Sequence, residues 1–200
     1  MTPRIHRFVL PMLLMFALLP GVGLAATGQT GAWDIDQLMH SLAQTRSGHA
    51  SFVETKSIAM LDQPVVSSGE LFYTAPDKLE KRTIKPKPET MVVDGDNLLI
   101  TRKQQKYRLQ LQDYPELAAF IDSVRGTLAG DRKALERTYQ LSLTGTAQGW
   151  TLQLVPLSTK MKQVVSNISI AGVNDDVRSI AITQADGDSS EMRIERLAAP

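Results

Sequence analysis

The sequence predicts a mainly β protein of the α+β class, with a curved antiparallel sheet of about eleven strands that forms an incomplete barrel covered by two or three helices. Three observations predict this fold. Short runs of alternating apolar and polar residues recur from His49 to Ile194, a period typical of half-buried strands. Turn residues separate these runs. Only two longer segments carry apolar residues at helical spacing.

The first helix is predicted over residues 33–45, with Asp34 as a suitable N-cap. Its apolar stripe, spaced at i, i+3, i+4 and i+7, consists of Ile35, Leu38, Met39 and Leu42. Pro115 begins a second helix, which Gly130 ends. The apolar stripe of this helix consists of Leu117, Ile121, Val124 and Leu128. Residues 131–137 are predicted to add one or two further turns.

The central segment, residues 68–102, predicts four short antiparallel strands. Its turns fall at 75–77, 85–88 and 94–97, and Gly95 supplies the positive φ that a tight hairpin needs. The gaps between the apolar runs are too short for crossover helices, so little of this segment is able to pair in parallel.

One strand precedes this segment and six follow it. The first begins near His49 and carries Phe52 and Ile58. The later strands are predicted from the alternating residues Tyr107, Leu109 and Leu111; Tyr139, Leu141 and Leu143; Trp150, Leu152 and Leu154; Ile168 and Ile170; Ile180 and Ile182; and Met192 and Ile194. Residues 160–163 interrupt this pattern as a basic loop or a short helix.

Eleven strands that are each apolar on one side form more apolar surface than two helices of about three turns are able to cover. The sheet is therefore expected to curl, with the helices across its mouth. Its inward side chains are mostly aliphatic, which favours a hollow that suits acyl chains, at about 0.8 kcal/mol for each buried methylene. Alternation does not distinguish a lining from a core, so a filled β-barrel or sandwich is the alternative. The predicted lipid-binding residues are Leu38, Leu42, Leu71, Tyr73, Leu79, Met91, Val93, Leu98, Ile100, Tyr107, Leu109, Leu111, Leu117, Ile121, Val124, Leu141, Leu143, Trp150, Leu152, Leu154, Ile180 and Ile182.

Residues 1–25 are predicted to be a signal peptide. Arg4 and Arg7 precede an apolar run from Phe8 to Leu19. Small residues occupy the positions that signal peptidase recognises, so cleavage is expected after Ala25. An uncleaved anchor is the alternative, although the run is short for a membrane span. Residues 26–32 are predicted to be a flexible lead-in, and residues 33–200 a single domain.

The chain has no cysteine. This excludes disulfides and thiolate metal sites, and it also excludes the acylated cysteine of a bacterial lipoprotein, so the mature protein is expected to be soluble. Cleavage would lower the basic count from 22 to 20 against 21 acidic residues, for a net charge of −1. That balance gives no reason to expect nucleic acid as a partner.

Catalytic and metal-binding patterns are weak. The acidic residues at 94–96 and 186–188 flank glycines, as turn residues do. His40 and His49 lack further recognisable ligands and are interpreted as structural or solvent-facing. No serine lies in a nucleophile elbow, and no glycine-rich phosphate loop follows a strand. We therefore predict no enzymatic activity, no cofactor and no metal.

Lys78, Lys81, Arg82 and Lys85 form a basic cluster. It has two interpretations. The cluster is either a solvated outer face of the sheet, with acidic residues interspersed, or a contact for anionic head groups or an acidic exporter surface.

The central segment also contains an ordered set of residues: Gly69, Leu71, Pro76, Pro88, Val92, Val93, Asp94, Gly95 and Leu98. This order resembles the early sheet of LolA, the family of periplasmic carriers of outer-membrane lipoproteins, and the element order fits over about residues 30–196. The resemblance implies an incomplete eleven-strand barrel whose hollow shields acyl chains without covalent chemistry. It also implies an inner-membrane exporter, an outer-membrane acceptor and transient membrane contact for a protein expected to be monomeric.

The chain departs from LolA at two places. LolA has a lid-tethering arginine before the proline that corresponds to Pro76, whereas this chain has Ala75. An aromatic pair follows the Asp-Gly turn in LolA, where this chain has Leu99 and Thr101. The cargo is therefore left open between a lipoprotein and a glycolipid or other acylated product. The alternative function is a non-carrying periplasmic β-module that serves as an adaptor or exporter partner through its sheet edge.

Overall fold

The structure is a computed structural model and describes residues 33–198 of the 200-residue chain. The predicted signal peptide, residues 1–25, and the predicted lead-in, residues 26–32, lie outside the described residues.

Eleven antiparallel strands form one sheet, as the alternation predicts. The strands are β1 (Ser47–Ser57), β2 (Val65–Thr74), β3 (Lys78–Lys85), β4 (Glu89–Asp94), β5 (Asn97–Arg102), β6 (Gln105–Gln110), β7 (Tyr139–Thr146), β8 (Gly149–Pro156), β9 (Val165–Val173), β10 (Asp176–Gln184) and β11 (Ser189–Arg196).

Sequential strands pair with each other in two runs, β1 to β6 and β7 to β11, and β1 pairs with β11 to join the runs. Strands β6 and β7 are the two edges, so the barrel is not closed. The central segment forms the four predicted strands β2 to β5, and Gly95 has the expected positive φ, +55°. The fold class and the incomplete barrel are confirmed.

Four helices accompany the sheet: α1 (Ile35–Leu42), α2 (Pro115–Leu128), α3 (Arg132–Glu136) and α4 (Thr159–Lys162). The Asp34 side chain caps α1 by accepting a hydrogen bond from the Gln37 amide at 2.9 Å. This helix ends three residues earlier than the predicted residue 45, and the following strand begins at Ser47. The basic segment at 160–163 contains the short helix α4, which is one of its two predicted forms.

Two clusters of buried side chains fill opposite parts of the molecule. The larger one packs α1 and α3 against β7, β8 and β9, around Trp150, Leu152 and Ile168. The smaller one packs α2 against β4 and β5, around Val93 and Leu98. Fewer side chains cover the concave face of the strands that lie between these two clusters.

The expected β6 strand differs from the observed one. It ends at Gln110, and Leu111 begins a 3-10 turn that packs into the smaller cluster, so the assignment of Leu111 to a strand is wrong. Tyr107 was expected to face inward, yet it is 49% exposed. Strand β6 is an edge with one neighbour, and its far end extends beyond the cover that α2 provides, so the alternation there does not correspond to burial.

Candidate functional site

An apolar cavity of about 610 Å³ lies between the concave face of the sheet and α2. Strands β1 to β4 form one wall and β9 to β11 the other, and the two walls meet where β1 pairs with β11. The apolar lining comprises Ala50, Ile58, Leu71, Phe72, Tyr73, Leu79, Met91, Val93, Leu117, Phe120, Ile121, Val124, Leu128, Ile170, Val177, Ile180, Ile182, Met192 and Ile194.

Ten of the residues predicted to bind lipid line this cavity. They are Leu71, Tyr73, Leu79, Met91, Val93, Leu117, Ile121, Val124, Ile180 and Ile182. These residues come from the four strands β2, β3, β4 and β10 and from one face of α2.

The other twelve predicted residues do not line it. Seven are fully enclosed in the two clusters: Leu38, Leu42, Leu98, Leu111, Trp150, Leu152 and Leu154. Four are half-buried and pack against those clusters: Ile100, Leu109, Leu141 and Leu143. Tyr107 is exposed. The placement has a physical reason, because α1 and α3 cover β7 to β9 and fill that part of the barrel. The hollow and the filled interior therefore coexist in one sheet.

The prediction missed several lining residues. Met192, Ile194 and Ile170 belong to strands whose alternation was recognised, and all three lie on the concave face of the sheet. Phe120 was also missed, although it lies three residues after Leu117 and so fits the helical spacing of the α2 stripe.

Helix α2 covers the cavity and is held from two sides. The Arg125 Nη1 donates a hydrogen bond to the Gly95 carbonyl in the β4–β5 turn at 2.7 Å. The Tyr139 hydroxyl, at the start of β7, donates to the Ala119 carbonyl at 3.0 Å. Burial raises the pKa of Tyr139 to about 12. The two bonds attach α2 to both halves of the sheet.

A charged cluster lies at the end of the cavity where β1 ends. The Glu54 carboxylate is 5% exposed and accepts hydrogen bonds from Lys81, from Ser190 at 2.7 Å and from Ser67 at 3.4 Å. The Lys56 ammonium lies 3.4 Å from the same carboxylate. Burial by itself raises the pKa of Glu54, but the hydrogen bond and charge of Lys81, with smaller contributions from Ser190 and Lys56, hold the pKa below the ordinary value of 4.5.

The basic cluster predicted from the sequence is divided between the two faces of the sheet. Lys78, Arg82 and Lys85 are exposed and do not line the cavity. Lys81 lines it, so the interpretation of an entirely outer face is wrong for this residue. Strand alternation places Lys81 on the same side as Leu79, and its partner Glu54 lies on a strand that is not its neighbour.

The histidines have separate environments. His40 is exposed in the last turn of α1. His49 is half-buried, stacks on Phe72 with ring centroids 4.4 Å apart, and lies 3.4 Å from Glu70. Within residues 33–198, no group of three or more His, Cys, Asp or Glu side chains is placed to hold a metal ion.

The helices of the described part of the chain are all too short or too polar to cross a bilayer.

Comparisons with known proteins agree with this architecture. Residues 26–198 match the family model described as outer membrane lipoprotein carrier protein LolA-like. An outer-membrane lipoprotein carrier protein of Dechloromonas aromatica (strain RCB) is 25% identical over 183 residues, which cover 91% of this chain and 82% of that protein.

Two solved structures are also similar. The LolA superfamily protein NE2245 from Nitrosomonas europaea superposes with a TM-score of 0.41 at 9% identity, covering 84% of this chain and 96% of that one. An outer membrane lipoprotein-sorting protein domain from Vibrio parahaemolyticus gives a TM-score of 0.41 at 10% identity, covering 83% and 92%. Because the family model spans nearly all of the sequence from residue 26 onward, the chain belongs to the family of LolA-like outer membrane lipoprotein carrier proteins.

Proposed function

We propose that this protein is a periplasmic carrier that shields the acyl chains of a lipoprotein or another acylated lipid in its cavity during transfer between the inner and outer membranes. Cleavage after Ala25 releases the mature protein into the periplasm. An inner-membrane exporter supplies the cargo, and an outer-membrane acceptor receives it. The carrier binds and releases its cargo without a covalent step.

The single observation that carries this proposal is the apolar cavity under α2. Its volume of about 610 Å³ falls within the range of about 300–1,000 Å³ that is typical of ligand pockets. Burial of about ten methylene groups would contribute about 8 kcal/mol, which corresponds to micromolar affinity before the cost of association.

The end of the cavity beside the β1–β2 loop suits a transient membrane contact. Met60 and Leu61 in this loop are 93% and 51% exposed. Ile84 is also exposed, and the neighbouring Lys85 pairs with Ser68 of β2. Exposed apolar side chains next to a basic residue favour an anionic membrane surface. We assign the contact with donor or acceptor membranes to this end, together with the outer residues Arg82 and Lys85; Lys78 lies at the far end of β3, opposite Thr74.

A variant that fills the cavity tests the carrier function. Ile180 lines the cavity, whereas Val155 is 39% exposed and does not line it. Ile180→Trp should reduce binding of a fluorescent acyl lipid, while the matched control Val155→Trp should leave it unchanged. Equal binding by both variants and the wild type would overturn the proposal. A protein that binds no lipid in any form would instead be an adaptor that recognises an exporter through a sheet edge.

A further inference from the structure

The cavity has a polar end at which two lysines share one ion-pair partner. Glu54 and Lys56 of β1, Lys81 of β3 and Ser190 of β11 all line this end. Two ammonium groups lie beside the Glu54 carboxylate. Among residues 33–198, neither lysine has another carboxylate within ion-pairing distance. At least one of the two ammonium groups therefore has no carboxylate of its own at the border of an apolar cavity.

The opposite end of the cavity provides a contrast. Asp175 and Asp176 lie there with Arg196, whose Nη1 is 3.7 Å and 2.6 Å from their carboxylates. Arg178 also pairs with Asp176 at 3.1 Å. Two carboxylates there form ion pairs with two guanidinium groups, whereas the two lysines at the Lys81 end pair with Glu54 alone.

The lysines remain accessible to a ligand, and the carboxylate does not. The side chains of Lys81 and Lys56 are 24% and 50% exposed, whereas that of Glu54 is 7% exposed. Each ammonium has three N–H donors, and Glu54 takes one from Lys81. The Lys81 ammonium also lies 4.8 Å from the centroid of the Phe52 ring, which fixes its position.

Asp188 is the other acidic group at this end. It lines the cavity, but its Oδ1 accepts a hydrogen bond from the Ala59 backbone amide at 2.8 Å. Its carboxylate fixes the β1–β2 loop and keeps its negative charge, but it lies outside ion-pairing distance of both lysines.

We propose that Lys81 and Lys56 bind the anionic head group of the acyl cargo, a carboxylate or a phosphate, while its chain lies along Leu71, Ile180 and Ile182. This inference rests on the proposed carrier function. An anion here accepts N–H donors that the two ammonium groups do not use on Glu54, and its attraction to them is strengthened by the apolar surroundings. A cationic head group would meet the two accessible ammonium groups and be disfavoured. Glu54 holds the two lysines in place and competes for them with the ligand.

The test measures displacement of the neutral dye N-phenyl-1-naphthylamine from the purified mature protein. Three single-chain lipids compete for the cavity: oleate, 1-oleoyl lysophosphatidate and the uncharged monoolein. The wild type should bind oleate or lysophosphatidate at least about tenfold more tightly than monoolein, as expected for a charge-assisted hydrogen bond. A preference for one of the two anions would identify the head group as carboxylate or phosphate.

Variants of the charged residues are expected to change the affinity for anionic lipids in opposite directions. The triple variant Glu54→Gln with Lys56→Met and Lys81→Met removes both ammonium groups without an orphaned carboxylate, and it should lose the preference for the anions while still binding monoolein. Lys56→Met, which keeps the Glu54–Lys81 pair, should weaken anion binding less. Glu54→Gln alone should strengthen it, because it frees the lysines. Lys106→Met is the control, since it removes an exposed positive charge on β6 outside the cavity.

Two results would contradict the inference in distinguishable ways. Equal binding of oleate, lysophosphatidate and monoolein by the wild type, with no change in the triple variant, would remove the head-group site and leave the carrier function standing. Failure of all three lipids to displace the dye would overturn the carrier function, and the head-group site with it.

Discussion

The guanidinium of Arg125 on α2 donates a hydrogen bond to the backbone carbonyl of Gly95 at 2.7 Å. The Arg125 side chain is 14% exposed and also pairs with Asp122 at 2.5 Å. The bond links the covering helix to the β4–β5 turn. The resemblance to LolA implies a tethering arginine before Pro76, where this chain has Ala75; here Arg125 on the helix itself connects α2 to the sheet.

Replacement of Arg125 should weaken the attachment of α2 to the sheet. Arg125→Met removes a charge-assisted hydrogen bond to a backbone carbonyl and should lower the free energy of unfolding by about 1–3 kcal/mol. It should also speed the dissociation of a bound acyl probe, measured by stopped-flow fluorescence. Arg132→Met is the control, because Arg132 pairs with Asp36 and Glu136 on neighbouring helical segments away from the cavity. An unchanged dissociation rate in Arg125→Met would contradict a tethering role.

Tyr139 provides the second attachment of α2, through its hydroxyl and the Ala119 carbonyl. Tyr139→Phe should lower the free energy of unfolding by about 1 kcal/mol, the usual value for a neutral hydrogen bond. The measurement is urea denaturation at neutral pH. An unchanged denaturation midpoint would indicate that this hydrogen bond does not stabilise the attachment of α2.

The same tyrosine predicts a loss of stability in alkali. Its pKa is about 12 in the folded protein, against an ordinary value of 10.0. A raised folded pKa means that this contribution to stability is fully present below pH 10 and is lost as the pH rises through about 12. Absorbance titration of the four tyrosines should show one phenol that ionises near pH 12 and that is absent from Tyr139→Phe. Titration of every tyrosine near pH 10 would contradict the enclosed position of Tyr139.

Glu54 predicts the opposite dependence in acid. Its folded pKa is lowered below 4.5 by Lys81, Ser190 and Lys56, which outweigh burial. The stabilisation by this carboxylate is therefore present above pH 4.5 and is lost as the pH falls through its folded pKa. Glu54→Gln should be less stable than the wild type at neutral pH, and this difference should shrink below about pH 4. The free energy of unfolding, measured from pH 7 to pH 3, gives the comparison. A constant difference across that range would contradict the assignment.

The filled and hollow parts of the barrel should respond differently to truncation. Leu152 is fully enclosed in the larger cluster, so Leu152→Ala should cost about 2–5 kcal/mol. Ile180 is half-buried and faces the cavity, so Ile180→Ala should cost less than half as much. Chemical denaturation of the two variants measures both values. Equal losses would indicate that the barrel is packed throughout.

The strands and the positions of the turns were predictable because they depend on local patterns, whereas the pairing of β1 with β11 joins segments from opposite ends of the sequence. Alternation in Leu71 and Tyr73, and the positive φ of Gly95, are properties of short segments that neighbouring strands then accommodate. Dependence on local patterns also explains the wrong assignment of Leu111. The alternating pattern of Leu109 and Leu111 continues past the end of β6 into a 3-10 turn.

The division between core and cavity was not predictable from the alternation. Leu152 and Ile182 have similar sequence surroundings, yet α1 and α3 cover the first and leave the second open. The helical stripes show which residues of α1 are apolar but not which strands they cover. The two interpretations of the basic cluster stayed open for Lys81, because its partner, Glu54, lies 27 residues earlier on a strand that is not its neighbour.

Native mass spectrometry of the protein purified from periplasm tests the carrier account most directly. The account predicts a mass excess that corresponds to an acyl lipid, that is extracted by organic solvent, and that is lost in Ile180→Trp but kept in Val155→Trp. A wild-type protein that emerges from lipid-rich periplasm at its bare polypeptide mass, with a cavity that takes up no acyl chain when lipid is added, would contradict it.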